Sequence, residues 1–151
     1  MCRVILTLSL ALFLQTVHAD NHGSMEAKSL YDRLGGIAPI SVVVSDFIDA
    51  LVPDTALNAN PKIDAARMAV PPEYLKYHVT AMVCQVTGGP CQYHGRDMKS
   101  SHAHLAITEK EWDRMVEIFL QILSRYGVPE KETQELLAIV GSTKGDIVTM
   151  R

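Results

Sequence analysis

The residues able to do chemistry concentrate in Gly88–Thr108, GGPCQYHGRDMKSSHAHLAIT. Gly88-Gly89-Pro90 and Tyr93-His94-Gly95 read as turns. Asp97–His102 reads as one short helix, and on it Met98 and His102 lie four apart, on one face. Leu105 continues that face if the turn persists. An imidazole above an apolar floor, inside a glycine-punctuated frame, can present one nitrogen to a flat metal cofactor. The other metal chemistry open to the stretch is a zinc or copper site built from His94, His102 and His104. His104 lies two residues beyond His102, about 200° round a helix, so the two point apart and the second reading loses ground. A lone histidine on an apolar face is more often an ordinary core or surface residue, so the surrounding elements decide.

A second histidine sits in the helix expected over Glu73–Val86, opened by Pro71-Pro72 and stopped by Gly88-Gly89. Its apolar stripe is Leu75, His78, Val79, Met82, Val83 and Val86, one continuous face. A neutral imidazole there is costly unless its nitrogens find partners. Upstream, Leu30–Leu34 forms a short helix stopped by Gly35-Gly36. Ile40–Leu51 is helical by the recurrence of Val43, Phe47, Ala50 and Leu51. Val52–Pro72, punctuated by Pro53, Pro61, Pro71 and Pro72, reads as irregular. Downstream, Thr108 and Glu111 form a capping box. Trp112, Met115, Val116, Phe119, Ile122 and Leu123 then give the strongest helical period in the chain. Gly127 ends that helix and Pro129 opens the last one. Nothing after the N-terminus reads as a sheet, so an all-α domain is expected.

The chain has 151 residues and a formal charge of −3. That is one domain's length, and the absence of a basic excess argues against a nucleic-acid partner. Arg3 followed by the apolar run Val4–Leu14, with Val17-His18-Ala19 as a cleavage site, reads as a signal peptide over residues 1–19. The run is short for a bilayer, so no membrane span is expected once it is removed. Residues 20–28 read as a flexible segment and 29–151 as the folded domain. Export leads to the periplasm and strips Cys2 of the three cysteines. Cys84 and Cys91 remain, either as a disulfide in an oxidising compartment or as free thiols, one of them buried on a helix.

In this order and spacing, the motifs resemble group I truncated haemoglobins. Leu30-Tyr31-Asp32-Arg33-Leu34-Gly35-Gly36 resembles the family's opening motif, and Val42–Phe47 resembles its second helix. Thr87-Gly88-Gly89-Pro90 resembles the end of its distal helix, Tyr93–His102 the approach to its proximal histidine, and Gly127-Val128-Pro129 the start of its last helix. The resemblance covers about Ser29–Val148. It implies a two-over-two helical sandwich and a haem b (iron protoporphyrin IX) held by one proximal imidazole, which is His102 by position. It implies haem-lining roles for Phe47, Leu75, His78, Val79, Met82, Met98, Leu105, Ile107, Trp112, Met115 and Phe119. At His78 the family has an iron-binding histidine in some members and a non-ligand in others, and ligation opposite His102 is expected here. No C-x-x-C-H occurs, which argues against a c-type haem. The chain departs from the family at Ile48, where a tyrosine is usual, and at Val79, where a glutamine is common. It also departs at Asn58–Pro61, where a phenylalanine usually meets the haem. The polar network that steadies a bound gas is thereby weakened. Arg96 and Lys99 flank the proximal helix, as propionate partners or as solvated surface charge.

The resulting expectation is an exported haem protein that reversibly binds O2, CO or NO, with a separate reductant for its iron. The alternatives are an enzyme that oxidises nitric oxide or acts as a peroxidase, and a bis-histidine electron carrier. Ile48 and Val79 cannot donate a hydrogen bond, which favours binding over catalysis.

Overall fold

A computed structural model describes residues 27–150. The signal-peptide reading of residues 1–19 and most of the flexible segment 20–28 lie outside the described residues. Two helix pairs form the body. Helix α2 (Ile37–Leu51) packs along α5 (Pro72–Val86) and also crosses α7 (Glu109–Arg125). Buried Ile40, Val44 and Ile48 of α2 meet Leu75, Val79 and Val83 of α5. Leu123 of α7 and Leu136 of α8 (Glu130–Ser142) bury Leu30 of α1 (Leu30–Arg33). This is the two-over-two arrangement expected, and its helices are amphipathic because each buries only one stripe.

The ends of these helices carry the predicted chemistry. Thr108 and Glu111 close a capping box on α7. Gly127 takes φ +62° after α7, a conformation that suits glycine. Tyr31 joins three elements. Its N–H donates to Thr87 O at 2.8 Å, and its hydroxyl accepts from Ile37 N–H at 3.0 Å. Its ring lies so close to Gly89 that a Cβ there would come within 2.5 Å of it. The glycine pair therefore ends α5 and also lets the first helix dock against it. Arg33 ties α1 to α8 through Glu132 and Glu135.

Two expectations are corrected. Val52–Pro72 is not irregular: it holds α3 (Thr55–Asn58) and α4 (Pro61–Ala69). Asp54 caps α3 by accepting from Ala56 and Leu57 N–H, and Asn60 caps α4, with Pro61 in its first turn. The prolines start helices here rather than interrupt them. A sheet also exists, in miniature. Strand β1 (Ile107–Thr108) pairs in parallel with β2 (Val148–Met150), which follows α9 (Lys144–Ile147). The pairing buries Ile107 and Ile147 against Trp112 and brings β2 onto the turn after residues 98–102.

Asp54 also accepts from Arg114 of α7, at 3.1 Å from Nε and 2.8 Å from Nη2. This pair and the backbone caps hold the Asp54 carboxyl below the usual carboxylate range, the Arg114 hydrogen bond contributing most. Because folding lowers its pKa, the carboxylate is stabilising above the unfolded value, near 4, and that contribution is lost as pH falls through the folded value. Asp54→Ala is expected to cost about 1–2 kcal/mol at neutral pH, chiefly through the lost cap, because Arg114 is partly solvated. Urea unfolding of both proteins across pH 3–8 checks this. A gap between them that failed to narrow below about pH 4 would contradict the assignment.

Candidate functional site

The five-residue helix α6 (Met98–His102) is set by its caps. Asp97 accepts from Ser100 N–H and from its hydroxyl, both at 2.7 Å. Those bonds hold the Asp97 carboxyl below its ordinary range. At the other end, His102 Nδ1 lies 2.8 Å from Met98 O. A carbonyl can only accept, so Nδ1 carries the proton and Nε2 keeps its lone pair. Burial pushes the imidazole below the ordinary histidine range, against the opposing effect of the Met98 carbonyl, so the ring is neutral near pH 7. A neutral, oriented imidazole with one free nitrogen is the form a metal ligand needs.

The half-buried apolar side chains of the expected lining fall into two groups, one of them drawn in part from the segment that carries His102. Phe47, Leu75 and Val79 pack on the α2–α5 cluster. Met98, Leu105 and Met115 pack on the cluster of Ile107, Trp112 and Ile147. Phe47 and Phe119 meet edge-to-face across the seam, with centroids 5.5 Å apart. Met82 is half-buried on the same stripe of α5. Ile107 and Trp112 are buried in the core beneath the half-buried row. Ile48, 3% exposed, and Val79 add no hydrogen-bond donor.

His78 keeps aromatic company. Its ring centroid lies 4.2 Å from Tyr74, 5.1 Å from Tyr77 and 6.0 Å from Tyr93. His104 and His94 are both exposed. No group of three His, Cys, Asp or Glu side chains capable of holding a metal occurs among the described residues. The converging three-histidine site is therefore absent there. Arg96 and Lys99 are exposed.

Two supports escaped the sequence reading, and a third was one of two alternatives there. Tyr93 N–H donates to Gln85 Oε1 at 2.6 Å, and its hydroxyl donates to Arg96 O at 2.7 Å. It thus links the end of α5 to the start of α6. Asn60 Nδ2 donates to Leu105 O at 3.0 Å and so fastens α4 to the turn behind His102, where Ala106 takes φ +52°. The Asn-Pro pair was the legible signal for a cap, while its reach to Leu105 had none. Cys84 and Cys91 are bridged, with Cα atoms 5.7 Å apart. The bond staples the last turn of α5 to the loop that carries Tyr93. Closing so short a loop is worth roughly 2–3 kcal/mol.

The donor set and lining fit a flat apolar group that takes one protein nitrogen. They do not suit a four-ligand ion such as structural zinc. Comparison with known proteins agrees. Residues 29–149 match the family model described as bacterial-like globin. The chain belongs to the bacterial-like globin family. Its relatives place it with the group I truncated haemoglobins. The group 1 truncated haemoglobin of Nostoc sp. is 29% identical over 120 residues, covering 80% of this chain and 97% of that one. That of Synechocystis sp. is 26% identical over 119 residues, covering 76% and 90%. Among solved structures, the 2/2 haemoglobin of Synechococcus sp., in a cyanomet state with covalently attached haem, aligns with a TM-score of 0.69 at 23% identity. It covers 80% of this globin and 98% of that chain. This likeness supports the fold. No helix among the described residues of this globin is long and apolar enough to cross a membrane.

Proposed function

We propose that this globin binds a b-type haem with His102 Nε2 as the proximal ligand, and that it reversibly takes up O2 or another diatomic gas. The observation that carries the reading is the His102–Met98 hydrogen bond, which leaves a neutral imidazole one free nitrogen on a segment that also carries the half-buried Met98 and Leu105. When bound, the haem supplies an iron with affinity for diatomic gases. Phe47, Leu75, Val79, Met82, Met98, Leu105, Met115 and Phe119 would enclose it and exclude water. His78 would serve as a displaceable ligand on the opposite side. The apolar character of Ile48 and Val79 favours binding over nitric oxide oxidation or peroxidase turnover, since neither side chain can hydrogen-bond a reacting oxygen.

Absorption spectra of the purified ferric, ferrous and CO-treated protein test this. A Soret band that shifts on CO addition is expected. Protein that takes up no haem when it is supplied would refute the reading.

We also infer export to the periplasm with loss of residues 1–19. The support is the N-terminal pattern of Arg3, an apolar run and Ala19. The Cys84–Cys91 bridge adds to it, because disulfides persist in oxidising compartments. Cell fractionation with N-terminal mass analysis checks this. A cytoplasmic protein retaining Met1 would overturn it.

A further inference from the structure

Three tyrosines meet His78, and the two on its own helix lie to one side of it. On α5 the stripe of Leu75, Val79 and Val83 packs on the buried residues of α2. His78 lies at one edge of that stripe, and Tyr74 and Tyr77 lie further round the same way, about 40° and 100° beyond it at 100° per residue. Both are exposed, Tyr74 at 56% and Tyr77 at 69%. Tyr74 is the preceding i−4 neighbour, placed to touch His78. Tyr93 comes from outside the helix and meets the His78 ring edge-on at 88°.

Tyr93 is the best fixed of the three. Gln85 holds its backbone and Arg96 O accepts from its hydroxyl. A side chain at Gly95 would collide with its ring, so the glycine there allows this seating. The Cys84–Cys91 bridge fixes the loop two residues away. Neither nitrogen of His78 has a hydrogen-bond partner among the described residues, so ring contacts are what orient it.

We propose that Tyr93, with Tyr74, is a positioning residue that draws the His78 ring toward the rim and so limits how much of the protein has His78 on the iron. This deepens the gas-binding reading and rests on it. A ring that swings to the iron gives up contacts on its tyrosine side, so those contacts weigh on the equilibrium between a closed and an open sixth site. Gas binds only the open fraction, and its apparent affinity scales with that fraction. The tyrosines therefore set how readily gas competes, without touching it. Each edge-to-face or tilted ring contact is able to shift such an equilibrium by about three- to tenfold.

The test uses haem-loaded full-length protein and three variants, Tyr93→Ala, Tyr93→Phe and Tyr74→Ala. Ferrous spectra at neutral pH report the six-coordinate low-spin fraction, and flash photolysis reports CO rebinding. Tyr93→Ala and Tyr74→Ala should each raise the ratio of closed to open sites by about three- to tenfold and slow CO binding accordingly. Tyr93→Phe keeps the ring and should stay near wild type. Combining Tyr93→Ala with His78→Leu should abolish the gain. Far-UV circular dichroism checks that the helices persist. Tyr74→Ala keeps the test valid if Tyr93→Ala fails to fold, because Tyr74 is an exposed residue. An unchanged or reduced low-spin fraction in the folded alanine variants overturns the proposal. Failure of every variant, wild type included, to take up haem would instead overturn the underlying gas-binding reading.

Discussion

Replacing His102 with alanine is expected to leave a folded chain that gives up haem at least about a hundredfold faster than the wild type. Changing a group that merely supports a metal ligand already costs about 10–100-fold in metal affinity, and removing the ligand itself should cost no less. The fold should survive, because His102 is only half-buried and lies outside the three buried clusters. The remaining apolar walls would still attract a porphyrin, so weak uptake without retention is the signature to seek. Soret absorbance followed during transfer to an excess of a haem-scavenging protein measures the loss. Added imidazole should restore part of the spectrum by filling the space the side chain vacated. Full retention with an unaltered ferrous spectrum would remove His102 from the iron.

The His78→Leu protein is expected to be wholly five-coordinate in the ferrous state at neutral pH, where the wild type has a low-spin six-coordinate population. It should also bind CO about tenfold faster, as expected if the closed form occupies about nine-tenths of the wild type. Leucine matches the apolar stripe of α5 and needs no hydrogen-bond partner, so the helix should pack as before. Stopped-flow mixing with CO measures the rate. A wild type that is already five-coordinate, with CO binding indifferent to the substitution, would leave His78 as a residue of the pocket rim. This outcome is independent of the first prediction, since it leaves the proximal bond untouched.

Helical period located α2, α5 and α7 because each buries a single stripe, and such stripes repeat visibly along the chain. The end signals were equally local: a capping box at Thr108 and glycines at Gly35, Gly88 and Gly127. The stretch Val52–Pro72 was misread because proline both breaks and begins helices. The distinguishing signs were the residues before the helices, Asp54 ahead of Thr55 and Asn60 ahead of Pro61. The pairing of Ile107 with Val148 had no comparable signal, since a strand this short carries no alternation to read. At the site, position and family pattern picked out His102, and its tautomer follows from helix geometry, which brings the carbonyl of Met98 to Nδ1. The cluster of Tyr74, Tyr93 and His78 was less accessible. Tyr74 and His78 share a helical face and are readable as neighbours, whereas Tyr93 arrives by a loop whose path depends on Gly95 and on the cysteine bridge. Cysteine spacing alone was compatible with two free thiols.

The bridge also bears on how the holoprotein matures. A cofactor that binds a slack polypeptide must use some of its attraction to order the chain, and that part is missing from the measured affinity. Here the covalent link already restrains the segment between the two histidine-bearing helices, from the last turn of α5 to the loop leading into α6. Oxidation of the thiols and capture of the porphyrin thus become coupled assembly steps, the first prepaying an entropy that the second no longer has to meet. Linkage makes the relation mutual: whatever tightens haem in the oxidised chain also makes the bridge harder to reduce once haem is in place.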